Sequence, residues 1–156
     1  MFSPACKSRP NLTGYCPFKC SECLNKQYVG ITVKDIKRHL LGKDTFGIYP
    51  LLKGDFCQLL SVDFDDDDFK ESAKAFSYVC KKHNLDNLIE ISSSGCGAHV
   101  WLFFDKPIKA SKVRRLGTYL IYEAMDSSKG INFSSLDRMF PSQDYVPIKG
   151  YGNLIV

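Results

Sequence analysis

No apolar run in this chain approaches the roughly 20 residues that a membrane-spanning helix needs. The N-terminus also lacks the charged-then-apolar pattern of a secretion signal. Internal repeats and low-complexity segments are absent. Together these absences predict an intracellular, soluble protein with no membrane partner. Seven cysteines are present, an odd count, and without a secretion signal a disulfide framework is disfavoured. The 156 residues suffice for one compact domain plus a small appendage. Hydrophobic content of 44% is ordinary and supplies a core for such a domain.

Net charge is only +4, so total charge alone assigns no polyanionic partner. Its distribution says more. Residues 1–45 carry eight Lys/Arg against three Asp/Glu, residues 46–105 five against ten, and residues 106–156 eight against four. An acidic centre between basic flanks suits a site where carboxylates hold cations and basic surfaces follow phosphates.

The acidic centre contains Ser61-Val62-Asp63-Phe64-Asp65, at the end of the apolar run Cys57-Gln58-Leu59-Leu60-Ser61-Val62. That run predicts a buried strand. Residues two apart on a strand share a face, so Asp63 and Asp65 project together while Phe64 points the other way. Like charges that close resist joint ionisation. A divalent cation removes the conflict, and carboxylate oxygens suit Mg²⁺ or Mn²⁺. Asp66, Asp67 and Asp68 fit a solvated surface or the cap of a following helix.

Short elements surround this pair. Thr32 as N-cap, Asp35 three residues on and Gly42 as the stop predict a short helix. Gly47 to Val62 reads as extended, broken at Pro50 and Lys53-Gly54. Phe69, Ala73, Phe76 and Cys80 recur at helical spacing, predicting a helix over about 68–83. Strands over 87–93 and 98–104 flank the Gly-rich turn Ser94-Gly95-Cys96-Gly97, with His99 early in the second. Ser111 is expected to cap a helix to about Met125, with Val113, Leu116, Leu120 and Ala124 inward. Asp137 closes the run Phe133-Ser134-Ser135-Leu136. A β-α-β-β-α-β order emerges, an α+β fold of ferredoxin-like or RRM-like type. It is expected to place Asp63, Asp65 and Asp137 on central strands of one sheet, meeting at one point.

Residues 1–30 hold no core-forming pattern, but they carry Cys6, Cys16, Cys20 and Cys23. Their spacing, C-x9-C-x3-C-x2-C, ends in the tight turn that sets two thiolates on one tetrahedral Zn²⁺. A zinc-binding segment over 1–30, with Zn²⁺ supplying its folding energy, is the expectation, and His39 is an alternative to Cys6. A redox C-x-x-C normally opens a helix after a strand, and no strand precedes Cys20. Cys57 and Cys80 fall in apolar patterns and read as core; Cys96 reads as a turn residue.

Four segments carry a resemblance: Lys19-Cys20-Ser21-Glu22-Cys23; His39-Leu40-Leu41-Gly42 with Gly47-Ile48-Tyr49-Pro50-Leu51-Leu52; Ser93-Ser94-Gly95-Cys96-Gly97-Ala98-His99-Val100-Trp101; and Leu136-Asp137-Arg138-Met139-Phe140-Pro141-Ser142-Gln143-Asp144 with Gly152-Asn153-Leu154-Ile155. With the D-x-D pair, these resemble the archaeo-eukaryotic primase superfamily. Within it, the closer likeness is to the primase-polymerase domain of TOTE conflict systems and of CRISPR-associated primase-polymerases. The resemblance covers nearly the whole chain and implies a catalytic core over 31–156, whose end at Leu154-Ile155-Val156 reads either as cut short or as a divergent short form. It implies template-directed nucleotidyl transfer with two catalytic Mg²⁺ or Mn²⁺ ions. Asp63 and Asp65 would bridge both ions, and Asp137 would bind the one nearer the 3′-hydroxyl. His99, with Ser94, Gly95 and Gly97, would hold the triphosphate.

The same resemblance places Arg138 to Lys149 beside the nucleotide phosphates. Gln143 and Asp144 stand where members outside this branch often carry Asn and Arg; Arg138, Gln143 and Lys149 are the nucleotide-binding candidates. Arg114 and Arg115 are expected on an exposed helix face, near template or primer or simply solvated. Implied partners are a nucleic-acid template and primer, nucleoside triphosphates, and helicase, nuclease or CRISPR and other defence components. Two other functions use overlapping features. A two-metal nuclease needs the carboxylates without a triphosphate pocket. A non-catalytic zinc and RRM-like binding module needs neither, but three carboxylates would repel a phosphate backbone unless metals intervene.

Overall fold

The structure, a computed structural model, describes residues 2–3, 32–43, 47–65, 67–92, 94–128, 134–148 and 151–155. Cys6, Cys16, Cys20, Cys23, Asp66, Ser93 and Lys149 lie outside the described residues. The chain forms two compact units, Met1–Tyr49 with Leu154–Val156, and Pro50–Asn153.

In the first unit, β1 (Phe2–Ser3) pairs antiparallel with β2 (Gly47–Ile48), and Ile48 also bridges Ile155. Helix α1 (Val33–Leu40) starts at a reciprocal capping box. Asp35 N donates to Thr32 Oγ1 at 3.3 Å, and Thr32 N donates to Asp35 Oδ2 at 2.9 Å. Two of the helix's first orphan amide donors are thereby satisfied.

The second unit runs β3 (Phe56–Asp65), α2 (Phe69–Lys82), β4 (Leu88–Ile91), β5 (Gly97–Lys109), α3 (Ala110–Ser127) and β6 (Leu136–Phe140). The four strands form one antiparallel sheet in the order β4-β5-β3-β6. With β3 as first strand this is the expected ferredoxin-like connectivity, an α+β core. The period-2 rule assigns its two faces. Leu60, Val62 and Phe64 of β3 and Ala98, Val100 and Leu102 of β5 are buried with Phe76 and Val79 of α2 and Val113 and Leu120 of α3. Each large side chain so buried contributes roughly 1.5–3 kcal/mol. Both helices therefore cover one face. The odd-numbered residues, Asp63 and Asp65 on β3 and His99, Trp101 and Phe103 on β5, project from the other.

Several local expectations change. Ser111 does not cap α3, which begins at Ala110 directly out of β5 with Lys109 as N-cap. Its first amide, Ala110 N, donates to Asp55 O at 2.9 Å, so a tertiary contact replaces the side-chain cap. Asp68 is the N-cap of α2 but makes no side-chain capping bond. Strand β5 continues past Phe104, and a register irregularity opposite Cys57 and Leu59 accommodates the extension. Only β3 and β5 are central; β6, carrying Asp137, is an edge strand.

Candidate active site

Asp63 and His99 are directly paired across β3 and β5, and Asp65 faces Gly97 one step further on. Residues opposite one another share a sheet face, which brings both acids and the imidazole together. Asp137 arrives by a different device. Asp63 pairs with Arg138 and Phe64 with Leu136, so Asp137 is an extra residue without a partner on β3. Such a bulge re-aims a side chain. In a regular strand Asp137 would alternate with Arg138 and turn from the acids. As it is, one carboxylate oxygen from each of Asp63, Asp65 and Asp137 lies within 4.8 Å of the others.

The β3 and β6 ends are tied together by backbone and carboxylate. Asp65 N donates to Ser135 O at 2.7 Å, and Ser135 N donates to Asp68 Oδ1 at 3.1 Å. Asp68, expected as a cap or as surface, thus anchors the approach to Asp137.

Asp63 is half-buried, and that burial pushes its carboxyl above the usual aspartate range. His99 pulls it back down, Asp65 and Asp137 raise it further, and Arg138 lowers it. His99 Nε2 sits 3.4 Å from Asp63 Oδ1, while Nδ1 is 3.6 Å from Glu90 Oε2. Glu90, on β4, also accepts from Trp101 Nε1 at 2.7 Å. Arg138 Nε donates to Asp137 Oδ2. Three carboxylates with one cation paired to them, in a partly desolvated setting, form a donor set suited to hard divalent ions. Asp63, Asp65 and Asp137 could hold a metal ion.

Beside the acids, a recess of about 340 Å³ is lined by Asp65, Ser94, Cys96, Ser134, Ser135, Leu136 and Asp137. The Ser135 hydroxyl is buried and has no hydrogen-bond partner among the described residues. The Gly-rich turn forms the opposite wall. Its Gly95 adopts φ 76°, a left-handed conformation that glycine tolerates without strain. Gly95 N donates to Ser92 O at 2.9 Å and Cys96 N to Ser94 Oγ at 3.2 Å, so these two amides are committed within the turn. Gly97 answers a different need. A Cβ there would strike the Asp65 carboxylate and lie 3.0 Å from Phe64 O. Its glycine makes room for the acid.

Not every expected residue joins the site. Gln143 Nε2 donates to Tyr145 O at 3.0 Å within its own loop and does not line the recess. Asp144 pairs with Arg114 Nη1 at 2.7 Å. Arg114 is therefore a half-buried tie between α3 and the 142–148 loop rather than a solvated cation. Arg115 Nε donates back to Ser111 O at 3.3 Å. Glu90, Ser134 and Ser135 were not singled out in the sequence. Glu90 was findable, since pairing β4 antiparallel to β5 sets it opposite His99. The two serines depend on the β6 bulge, for which the sequence has no signal.

Among the described residues, no helix is long and apolar enough to cross a membrane. The model of the family described as TOTE conflict system, Archaeo-Eukaryotic Primase domain, matches residues 1–156. No curated protein matches the chain.

Proposed function

This chain belongs to the archaeo-eukaryotic primase domain family of TOTE conflict systems, and from that premise we propose that it is a primase-polymerase. Membership carries the coarser statement: a primase-like, nucleotidyltransferase-type domain that takes nucleic acid and nucleotides as substrates. The finer reading is template-directed transfer of a nucleotide to a 3′-hydroxyl, or to a second nucleotide when priming. Its main support is the convergence of Asp63, Asp65 and Asp137, with Asp63 partly desolvated among like charges.

In this reading Asp63, Asp65 and Asp137 would together hold the divalent ions. Bound ions of this kind lower the pKa of an attacking hydroxyl and neutralise charge on a leaving pyrophosphate. The protein's own part is placement. β3 and β5 fix Asp63, Asp65 and His99 in register, and the β6 bulge brings Asp137 to them. The recess beside Asp65 takes the triphosphate, where the Ser94 and Ser135 hydroxyls serve as donors and His99 approaches from the sheet. Arg138 neutralises part of the charge at Asp137. Gly95 shapes the turn and Gly97 leaves Asp65 its space. Lys149 is a nucleotide-phosphate candidate by its charge alone, and Gln143, bonded to Tyr145 O, takes no part in this reading. Cys6, Cys16, Cys20 and Cys23 hold a structural zinc.

Incorporation of radiolabelled nucleotide on primed and unprimed single-stranded templates, with Mg²⁺ or Mn²⁺ and with dNTPs against NTPs, tests the reading. The Asp63→Ala/Asp65→Ala variant should lose incorporation by about a thousandfold or more, because metal charge stabilisation is worth several kcal/mol. His99→Ala should chiefly raise the nucleotide concentration needed for half-maximal rate, since a triphosphate contact exists already in the ground state. A double variant that extends primers at the wild-type rate would refute the assignment.

A further inference from the structure

The sheet face that carries the acids also carries aromatic rings. His99, Trp101 and Phe103 alternate along β5, so all three project from the face opposite α2 and α3. The His99 and Trp101 ring centroids are 5.4 Å apart, and Trp101 and Phe103 lie 6.1 Å apart with an interplanar angle of only 2°. Away from the acids, this face is closed on β3 and β6: Leu59, Ser61 and Phe140 are buried. On β4 and β5 it is more open: Phe103 is 60% exposed and Leu88, paired with Trp101, is 64% exposed, while Trp101 between them is half-buried. Leu88, Trp101 and Phe103 thus form a contiguous apolar strip, and contiguous exposed apolar surface marks interaction sites.

Three observations indicate what covers them. The strip is continuous with the acids, because His99 contacts both Asp63 and the Trp101 ring. The rings are parallel and two strand residues apart, about 6.6 Å along the chain, close to two steps of base stacking. The indole N–H, the ring's hydrogen-bonding group, is already committed to Glu90, which fixes the ring and leaves a π surface as its remaining offering. A π surface without free donors recognises the faces of bases rather than their edges.

We propose that Trp101 and Phe103 form a stacking platform for unpaired bases of a nucleic-acid strand running along β4 and β5 toward the carboxylates. The proposal deepens the polymerase reading and rests on it for the strand's identity as template. Stacking on a ring reads neither the sugar nor the sequence. The platform therefore takes single-stranded DNA and RNA alike, and duplex poorly, because duplex bases are already stacked on each other.

Trp101 is the chain's single tryptophan, so its emission reports on this surface alone. The test is titration of the full chain, without nucleotide or divalent ion, with mixed-sequence strands of about 12 nucleotides, a length within the range of single-strand sites. Parallel arms use DNA, RNA, blunt duplex and free mononucleotides. Saturable quenching by both single strands is expected, well below the concentrations at which duplex or mononucleotides act. Phe103→Ala should weaken binding about tenfold, the order of one lost stacking contact. Phe103→Tyr should restore it and Phe103→Leu should not, which separates ring stacking from mere apolar area.

Absence of quenching, or Phe103→Ala binding like wild type, would overturn the platform. So would equal quenching by duplex, or an emission change that follows protein concentration alone and assigns the face to a second copy. Binding is read here without catalysis. A protein that quenches but incorporates nothing keeps the platform and loses the polymerase reading; one that incorporates without quenching loses only the platform.

Discussion

At the scale of single residues, the candidate site depends on where charge is placed and on what leaves it room. Asp63 is buried enough to raise its pKa and sits beside two more carboxylates, so without cations the cluster is electrostatically unfavourable at neutral pH. Gly97 is the steric counterpart. It lies in register with Asp65, and a methyl group there would collide with that carboxylate. Gly97→Ala should leave the sheet formed yet displace Asp65. Misplacement of about 1 Å costs on the order of a hundredfold in rate. Nucleotide incorporation compared with circular dichroism of the same variant checks this; an alanine variant with wild-type activity would show that Asp65 has no need of that space.

At the scale of elements, α2 and α3 are joined outside the core by one charged cluster. Glu123 of α3 accepts from Lys82 Nζ at 2.8 Å and pairs with His83 Nε2 at 2.6 Å. The Lys82 ammonium, then His83 and Tyr119, hold the Glu123 carboxyl down at about 2. A carboxyl whose pKa is lowered by folding adds stability above its unfolded value, and that stability is lost as pH falls through its folded value. Between about pH 4.5 and 2 the wild type should therefore lose melting temperature more steeply than Glu123→Gln. Equal acid slopes for the two proteins would mean that the cluster is not coupled to folding.

Elements were also where the sequence was most legible. The periodicity of Phe69, Ala73, Phe76 and Cys80, and of Val113, Leu120 and Ala124, gave the buried faces of both helices, because packing against one sheet imposes the 3.6-residue repeat. Likewise the D-x-D alternation followed from strand geometry alone. The start of α3, the use of Asp68 and the bulge at Asp137 did not, because each is fixed by a partner distant in sequence: Asp55, Ser135 and β3 respectively. Asp137 was recognisable as a candidate by its family motif, but its delivery from an edge strand was not.

At the scale of the whole molecule, the acidic centre seen in the sequence supplies Asp63 and Asp65 to the carboxylate cluster, whereas Asp137 comes from the basic segment that follows. The four N-terminal cysteines lie outside the described residues, and their spacing remains the reason to assign them a metal. Elemental analysis of purified protein should find about one zinc per chain, as a closed four-thiolate site requires. Cys20→Ser/Cys23→Ser should abolish it, and zinc-free wild-type protein with a native melting transition would remove the assignment.

The central claim, that Asp63, Asp65 and Asp137 form a cation site, is tested most directly by the melting temperature of wild type and Asp63→Asn at neutral pH, with and without Mn²⁺. Because the fold raises the Asp63 pKa, this carboxyl favours the metal-free fold only below its unfolded value near about 3.9, and the benefit is lost as pH rises through the folded value. At neutral pH the ionised group is a cost. The metal-free Asp63→Asn variant should therefore melt a few degrees above metal-free wild type, whereas Mn²⁺ should stabilise wild type strongly and the variant little. Metal-free wild type that melts no lower than Asp63→Asn, together with equal Mn²⁺ stabilisation of both, would contradict the account.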